Sequence, residues 1–143
     1  MSDVDIETLK TKAFAIRENV EKIRKYAGLS DAEFWRDERN LLSVKLLMIQ
    51  AIEDAIAMCG HIMARRGGQA ASSYSECFSG LERLGVLDLA LAERLMGMAR
   101  FRNLLVHRYW QIDDKRVLEL ARKDIDDLEA YLRALGAYLS RAF

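Results

Sequence analysis

Proline is absent from this chain of 143 residues, cysteine and histidine occur only twice each, and 22 basic residues are balanced by 22 acidic ones. Each scarcity narrows the possibilities. With no proline to break a helix, and with apolar residues recurring at three- and four-residue steps throughout, the chain reads as all-α. Cys59 and Cys77 each fall inside an apolar periodic segment. They form neither a disulfide framework nor a metal knuckle and point to a reducing cytosol. Balanced charge leaves no overall field toward nucleic acid or membrane, so any such attraction must come from a local patch. No apolar run approaches the roughly 18 residues of a membrane span, and the mixed, charged first turns do not resemble a signal peptide. A cytoplasmic protein without membrane association is therefore expected. What is present, 51% apolar and 31% charged residues, is the composition of a folded globule. The length suits one domain over residues 1–143.

Taken in order, Val4, Leu9, Ala13, Ile16, Val20 and Ile23 mark the inner face of a first helix, about residues 3 to 27. Gly28 is expected to end it in the left-handed conformation. Ser30-Asp31-Ala32-Glu33 has the form of a capping box, in which serine and glutamate satisfy free amides at a helix start. The helix it opens is expected to run to about Ala64. Between Leu41 and Ile62 that helix is apolar on nearly every side, as befits the central post of a bundle. Arg65-Arg66-Gly67-Gly68 should break it. Ser73-Tyr74-Ser75-Glu76 repeats the capping box and starts a short third helix closed by Gly85. Asp88 caps a fourth helix, expected from Leu89 through Trp110, and Asp113 or Asp114 caps a fifth, from about Lys115 to Leu139. The expected architecture is an antiparallel four- to five-helix bundle.

Chemistry concentrates in one stretch, Met98 to Trp110, which gathers Arg100, Arg102, Asn103, His107, Arg108, Tyr109 and Trp110. At about 100° per residue, with Arg102 at zero, Asn103 falls near 100°, His107 near 140° and Tyr109 near −20°. Arg102 and Tyr109 would then stand above one another at the edge of the core, with Asn103 and His107 together on the outer face. A histidine moves protons near neutral pH, an arginine fork stabilises charge developing on phosphate oxygens, and an amide orients a hydroxyl or phosphate. The three together suit cleavage of an RNA phosphodiester, with the 2′-hydroxyl as nucleophile and no metal. Metal sites are poorly supported, because His61 and His107 are the two histidines and no Glu-x-x-His or His-Glu-x-x-His occurs. No cofactor motif is present either.

Gln50, Asp54 and His61 share one side of the apolar second helix, and polar groups on a buried helix need partners. Arg102 is one candidate, so Asp54, or failing it Glu53, is expected to hold the arginine in place. His61, with nothing of the motif around it, is expected to be structural. Trp110 is expected to make a dimer or core contact. Arg65, Arg66, Arg100, Arg108, Lys115 and Arg116 form either an RNA-tracking patch or a solvated face.

Arg102-Asn103-Leu104-Leu105-Val106-His107-Arg108-Tyr109 fits Arg-x-x-x-x-His-x-Tyr. In this the chain resembles the HEPN superfamily and, with the trailing tyrosine, its HepT toxins. The likeness extends over most of the chain, through helical plan, size and position of the motif. It implies the toxin of a type II toxin–antitoxin system: a metal-independent endoribonuclease, acting as a symmetric homodimer that brings two motif copies into one cleft. The implied partner is a nucleotidyltransferase antitoxin of the MNT type that transfers AMP to the motif tyrosine. Arg102 and His107 become the catalytic pair, Asn103 a supporting residue and Tyr109 the AMP acceptor. The alternative is a non-catalytic helical adaptor, or a nucleic-acid-binding dimer, that partners a nucleotidyltransferase. An adaptor has no need of both Arg102 and His107.

Overall fold

The computed structural model of the protein describes residues 3–67 and 72–142. Helices α1 (Ile6–Ala27), α2 (Asp31–Arg36), α3 (Glu38–Arg66), α4 (Tyr74–Arg83), α5 (Leu89–His107), α6 (Asp114–Glu119) and α7 (Asp126–Ala142) follow one another. A single π-helical turn, Leu120–Asp124, welds α6 to α7, so the two act as one long rod.

Side-chain pairings give the directions of the rods. Along α1 and α3, Asp5 meets His61, Lys12 meets Asp54 and Asn19 meets Gln50, a descending series that makes the two antiparallel. Arg102 with Glu53 and Asp114 with Lys45 do the same for the α5–α6 segment against α3. The fourth rod returns alongside α1, where Arg24 pairs with Asp126 and Glu129, and beside α5, where Arg94 meets Asp127. The result is an antiparallel bundle of four long rods with α2 and α4 as short straps.

Local chemistry sets most boundaries. The Ser30 and Ser73 hydroxyls accept the amides of Glu33 and Glu76 at 3.2 and 3.1 Å, and the Asp88 and Asp113 carboxylates accept those of Leu91 and Lys115 at 2.7 and 3.0 Å. Such caps satisfy amides that the helix cannot. Gly85 closes α4 with φ of 79°, and the Val86 amide reaches back to the Leu81 carbonyl at 2.9 Å.

Five expectations need correction. Gly28 is right-handed, φ −77°. The end of α1 is held instead by Arg122, whose guanidinium donates to the Ala27 and Leu29 carbonyls, both at 3.0 Å, and pairs with Asp31 at 2.6 Å. The second helix is split at Asp37, which is extended (φ −122°, ψ 110°) because its carboxylate caps α3 through the Arg39 amide at 3.0 Å. Asn40 reinforces the break by donating to the Phe34 carbonyl at 3.1 Å. The fifth helix carries the π turn rather than running evenly. The fourth stops at His107, three residues short of Trp110. The expected break at Arg65 to Gly68 begins at Gly67, and Gly68 itself lies outside the described residues.

α3 is the central post and touches α1, α2, α4, α5 and α6. Its first turns are less enclosed than expected, since Leu42 and Leu46 are exposed. At its other end the Met63 thioether sits against both Gly67 and Gly80, so α3 and α4 approach where neither glycine has a side chain. Tyr131 is wholly buried, its hydroxyl donating to the Ala55 carbonyl at 2.8 Å and its ring meeting the edge of Phe78 at 5.8 Å. Among the described residues no buried side-chain polar atom lacks a partner, and no helix is long and apolar enough to cross a membrane.

Candidate active site

The motif occupies the last turns of α5, where the apolar positions that anchor the helix, Met98, Ala99 and Leu105, leave the opposite side open. Arg102 is the most restrained of its polar residues. Its side chain is 14% exposed and donates through Nε (3.1 Å) and Nη2 (2.5 Å) to one oxygen of Glu53. Nη1 donates to the Asn103 amide oxygen at 3.0 Å. The guanidinium also lies over the Tyr74 ring, 5.8 Å from its centroid. A guanidinium carries five N–H donors, so one remains on each of Nη1 and Nη2.

Glu53, rather than Asp54, therefore meets Arg102. Adjacent helical residues point about 100° apart, and Asp54 turns toward α1 to pair with Lys12 at 3.5 Å. The rest of its row does likewise. Gln50 accepts from Asn19 at 3.2 Å, and His61 Nε2 accepts the Asp5 amide at 2.8 Å, a structural use of that histidine.

Asn103 and His107, one turn apart and both exposed, line a shallow depression of about 510 Å³ with Arg100, Leu104 and Arg108. Arg102 adjoins it through Asn103. Tyr109 does not stand above Arg102, because the helix has already ended. Arg108 leaves helical geometry (φ −139°, ψ 43°), and Tyr109 to Gln111 form a 3₁₀ turn beyond it. Tyr109 and Trp110 are consequently 65% and 68% exposed, with their rings edge to face at 5.3 Å, which removes the core role for Trp110.

Tyr74 was invisible to sequence reasoning, since only the docking of α4 on α5 brings its ring under Arg102. Of the six basic residues that the sequence offers as a patch, Arg100 and Arg108 are the two that line the depression. Cys59 and Cys77 are buried and unbridged, and burial pushes the Cys59 thiol up, away from reactivity. Among the described residues no three of His, Cys, Asp or Glu converge as a metal-holding group would.

Comparison with known proteins gives concordant results. The tRNA nuclease HepT of Aphanizomenon flos-aquae is 23% identical over 141 residues, covering 97% of this chain and 95% of that one. The tri-AMPylated HEPN toxin of Shewanella oneidensis, solved in complex with MNT antitoxin, superposes with a TM-score of 0.84 at 22% identity over 96% of this chain and 99% of that one. YutE from Bacillus subtilis, a cytosolic protein of unknown function, superposes at 0.86 with 16% identity over 100% and 96%. The family model described as Ribonuclease HepT-like matches residues 16–135, from the middle of α1 to the middle of α7 and across the whole motif, and the chain belongs to that family.

Proposed function

We propose that the protein is the toxin of a toxin–antitoxin pair, an endoribonuclease that works without metal through Arg102 and His107 and is neutralised by AMP transfer to Tyr109. One observation carries the reading: the Arg102 guanidinium, held on one side by Glu53 and on another by Asn103, keeps two N–H donors unused beside a basic depression that contains His107. A fixed cation with spare donors suits a phosphate whose charge grows during reaction. The nuclease and antitoxin-bound relatives support the same class of activity and partner.

In the reaction the RNA 2′-oxygen bonds to the adjacent phosphorus, its proton passing to a neutral imidazole, while the bond from phosphorus to the 5′-oxygen breaks and that oxygen takes up a proton. The products are a 2′,3′-cyclic phosphate and a 5′-hydroxyl. One step needs a base and the other an acid. A homodimer supplies a histidine for each. The face for it is available: Leu42, Leu46 and Glu53 follow one another along the side of α3 that meets α5, and exposed Leu104, Tyr109 and Trp110 lie at the same end of the bundle. Exposed apolar groups gathered around a site mark a partner surface.

The end of α5 suits Tyr109 to its role. Beyond the helix the Tyr109 side chain is mostly exposed, open to a nucleotidyltransferase. An adenylyl group there adds negative charge beside Arg108 and repels an RNA strand from the depression.

Arg102→Ala and His107→Ala should each reduce cleavage at least about 100-fold while the fold is kept, because neither side chain is part of the core. The wild type should stay active in EDTA and leave cyclic phosphate ends. Loss of activity with chelator, or variants that cleave normally, would overturn the mechanism. With ATP, magnesium and the nucleotidyltransferase, intact-mass measurement should show adenylyl additions on wild type and none on Tyr109→Phe; equal labelling of both places the acceptor elsewhere.

A further inference from the structure

Between α1 and α7 lies an open apolar trough of about 850 Å³. Leu9, Met58, Leu132 and Leu135 line it. On its α1 side stand Lys10 and Arg17, which make no ion pair among the described residues. Phe14, between them, is 64% exposed, a large aromatic ring left in water beside an apolar groove.

We propose that this trough receives an amphipathic helix of a partner protein, with leucine-like anchors on one face and acidic residues seven positions apart along one flank. Length, shape and charge carry the inference. From Ile6 to Arg17 the α1 wall runs about 16 Å, three helical turns, which matches a helix anchored through residues at i, i+3, i+4 and i+7. Lys10 and Arg17 are seven residues apart on the same face of α1, about 10 Å, so acids repeated every seven positions on a helix lying along α1 meet both cations. Phe14 would be covered at the centre, where aromatic anchors contribute most.

A second copy of the chain does not fit. A twofold pairing of two α1 helices through Phe14 sets Lys10 of each copy against Arg17 of the other, like charge on like charge. The acids of the opposing wall lie at the start of α7, where Glu129 and Asp126 are already paired with Arg24. This surface is independent of the nuclease reading and stands or falls by itself.

The test uses the full chain and two fluorescent helical peptides that share a leucine face, one with glutamates seven apart on one flank and a twin with lysines there. The glutamate peptide should bind at least tenfold tighter, with the preference shrinking as salt rises. A Lys10→Glu, Arg17→Glu double variant should reverse that order. Gly136 lines the trough, and a Cβ built on it meets nothing within 4 Å, so Gly136→Phe fills the space without disturbing the core. That variant should lose both peptides while its circular dichroism is unchanged. Equal binding of the two peptides, no binding of either, or binding that survives Gly136→Phe would overturn the proposal. So would laurate binding that Gly136→Phe blocks in the absence of peptide binding, which gives the trough to a small amphiphile. A dimer that Gly136→Phe splits in light scattering would give it to a second copy.

Discussion

Two rows of polar side chains run along α3, and they differ in a way that separates structure from chemistry. The row facing α1, made of Gln50, Asp54 and His61, is closed: each member meets a group of the same chain. The row facing α5 and α6, Lys45 and Glu53, meets Asp114 and Arg102, and the donors of Arg102 outnumber the acceptors the fold supplies. Adjacent residues, Glu53 and Asp54, thus serve opposite ends. A buried-edge polar group with all partners internal holds the bundle together; one with donors left over is available to something outside it.

The comparison predicts unequal mutants. Glu53→Gln removes the charge that fixes Arg102 and should lower cleavage roughly tenfold, in line with a charge-assisted hydrogen bond of about 1.5–3 kcal/mol only part of which bears on the transition state. Asp54→Asn should leave the rate within about twofold. Single-turnover assays on matched RNA decide it, and equal losses in the two variants would erase the distinction. On the closed row, His61→Ala should lower stability by about 1 kcal/mol in urea titrations, as the Asp5 amide loses its acceptor, and leave the cleavage rate of the folded fraction unchanged.

The smallest effect concerns acid. Hydrogen bonds from the Thr8 hydroxyl and amide hold the Asp5 carboxyl below its ordinary range. A folded pKa below the unfolded one gives stability that is present above the unfolded value and lost as pH falls through the folded one. The melting temperature should therefore drop between about pH 4 and pH 2 more in wild type than in Asp5→Asn.

Features written in short stretches were legible. Ser30, Ser73, Asp88 and Asp113 each lie two or three residues from the amide they cap, and the structure finds all four bonds. Asn103 and His107 could be set on one outer face because four residues make about one turn. Features that depend on distant partners were not. Nothing before Asp37 marks a break, since the charged run from Arg36 to Arg39 also suits a solvated helix face. Helical phase carried past His107 misplaced Tyr109, because neither glycine nor proline announces the end of α5. Choosing between Glu53 and Asp54 required knowing which neighbour each side of α3 meets, and Tyr74 required the docking of α4.

Met63, lodged between Gly67 and Gly80, gives the chain a constraint on descent rather than on folding. A methyl group at Gly80 meets the flexible end of the Met63 side chain, which can shift, whereas one at Gly67 also meets the Met63 carbonyl, at 2.8 Å, which cannot. The three positions are one unit of variation. A lineage that keeps methionine can accept alanine at 80 by moving its thioether, but it keeps glycine at 67, where the contact is with backbone. Because Tyr74 begins the same short helix that Gly80 seats, drift at this small joint would be felt under Arg102 on the neighbouring helix.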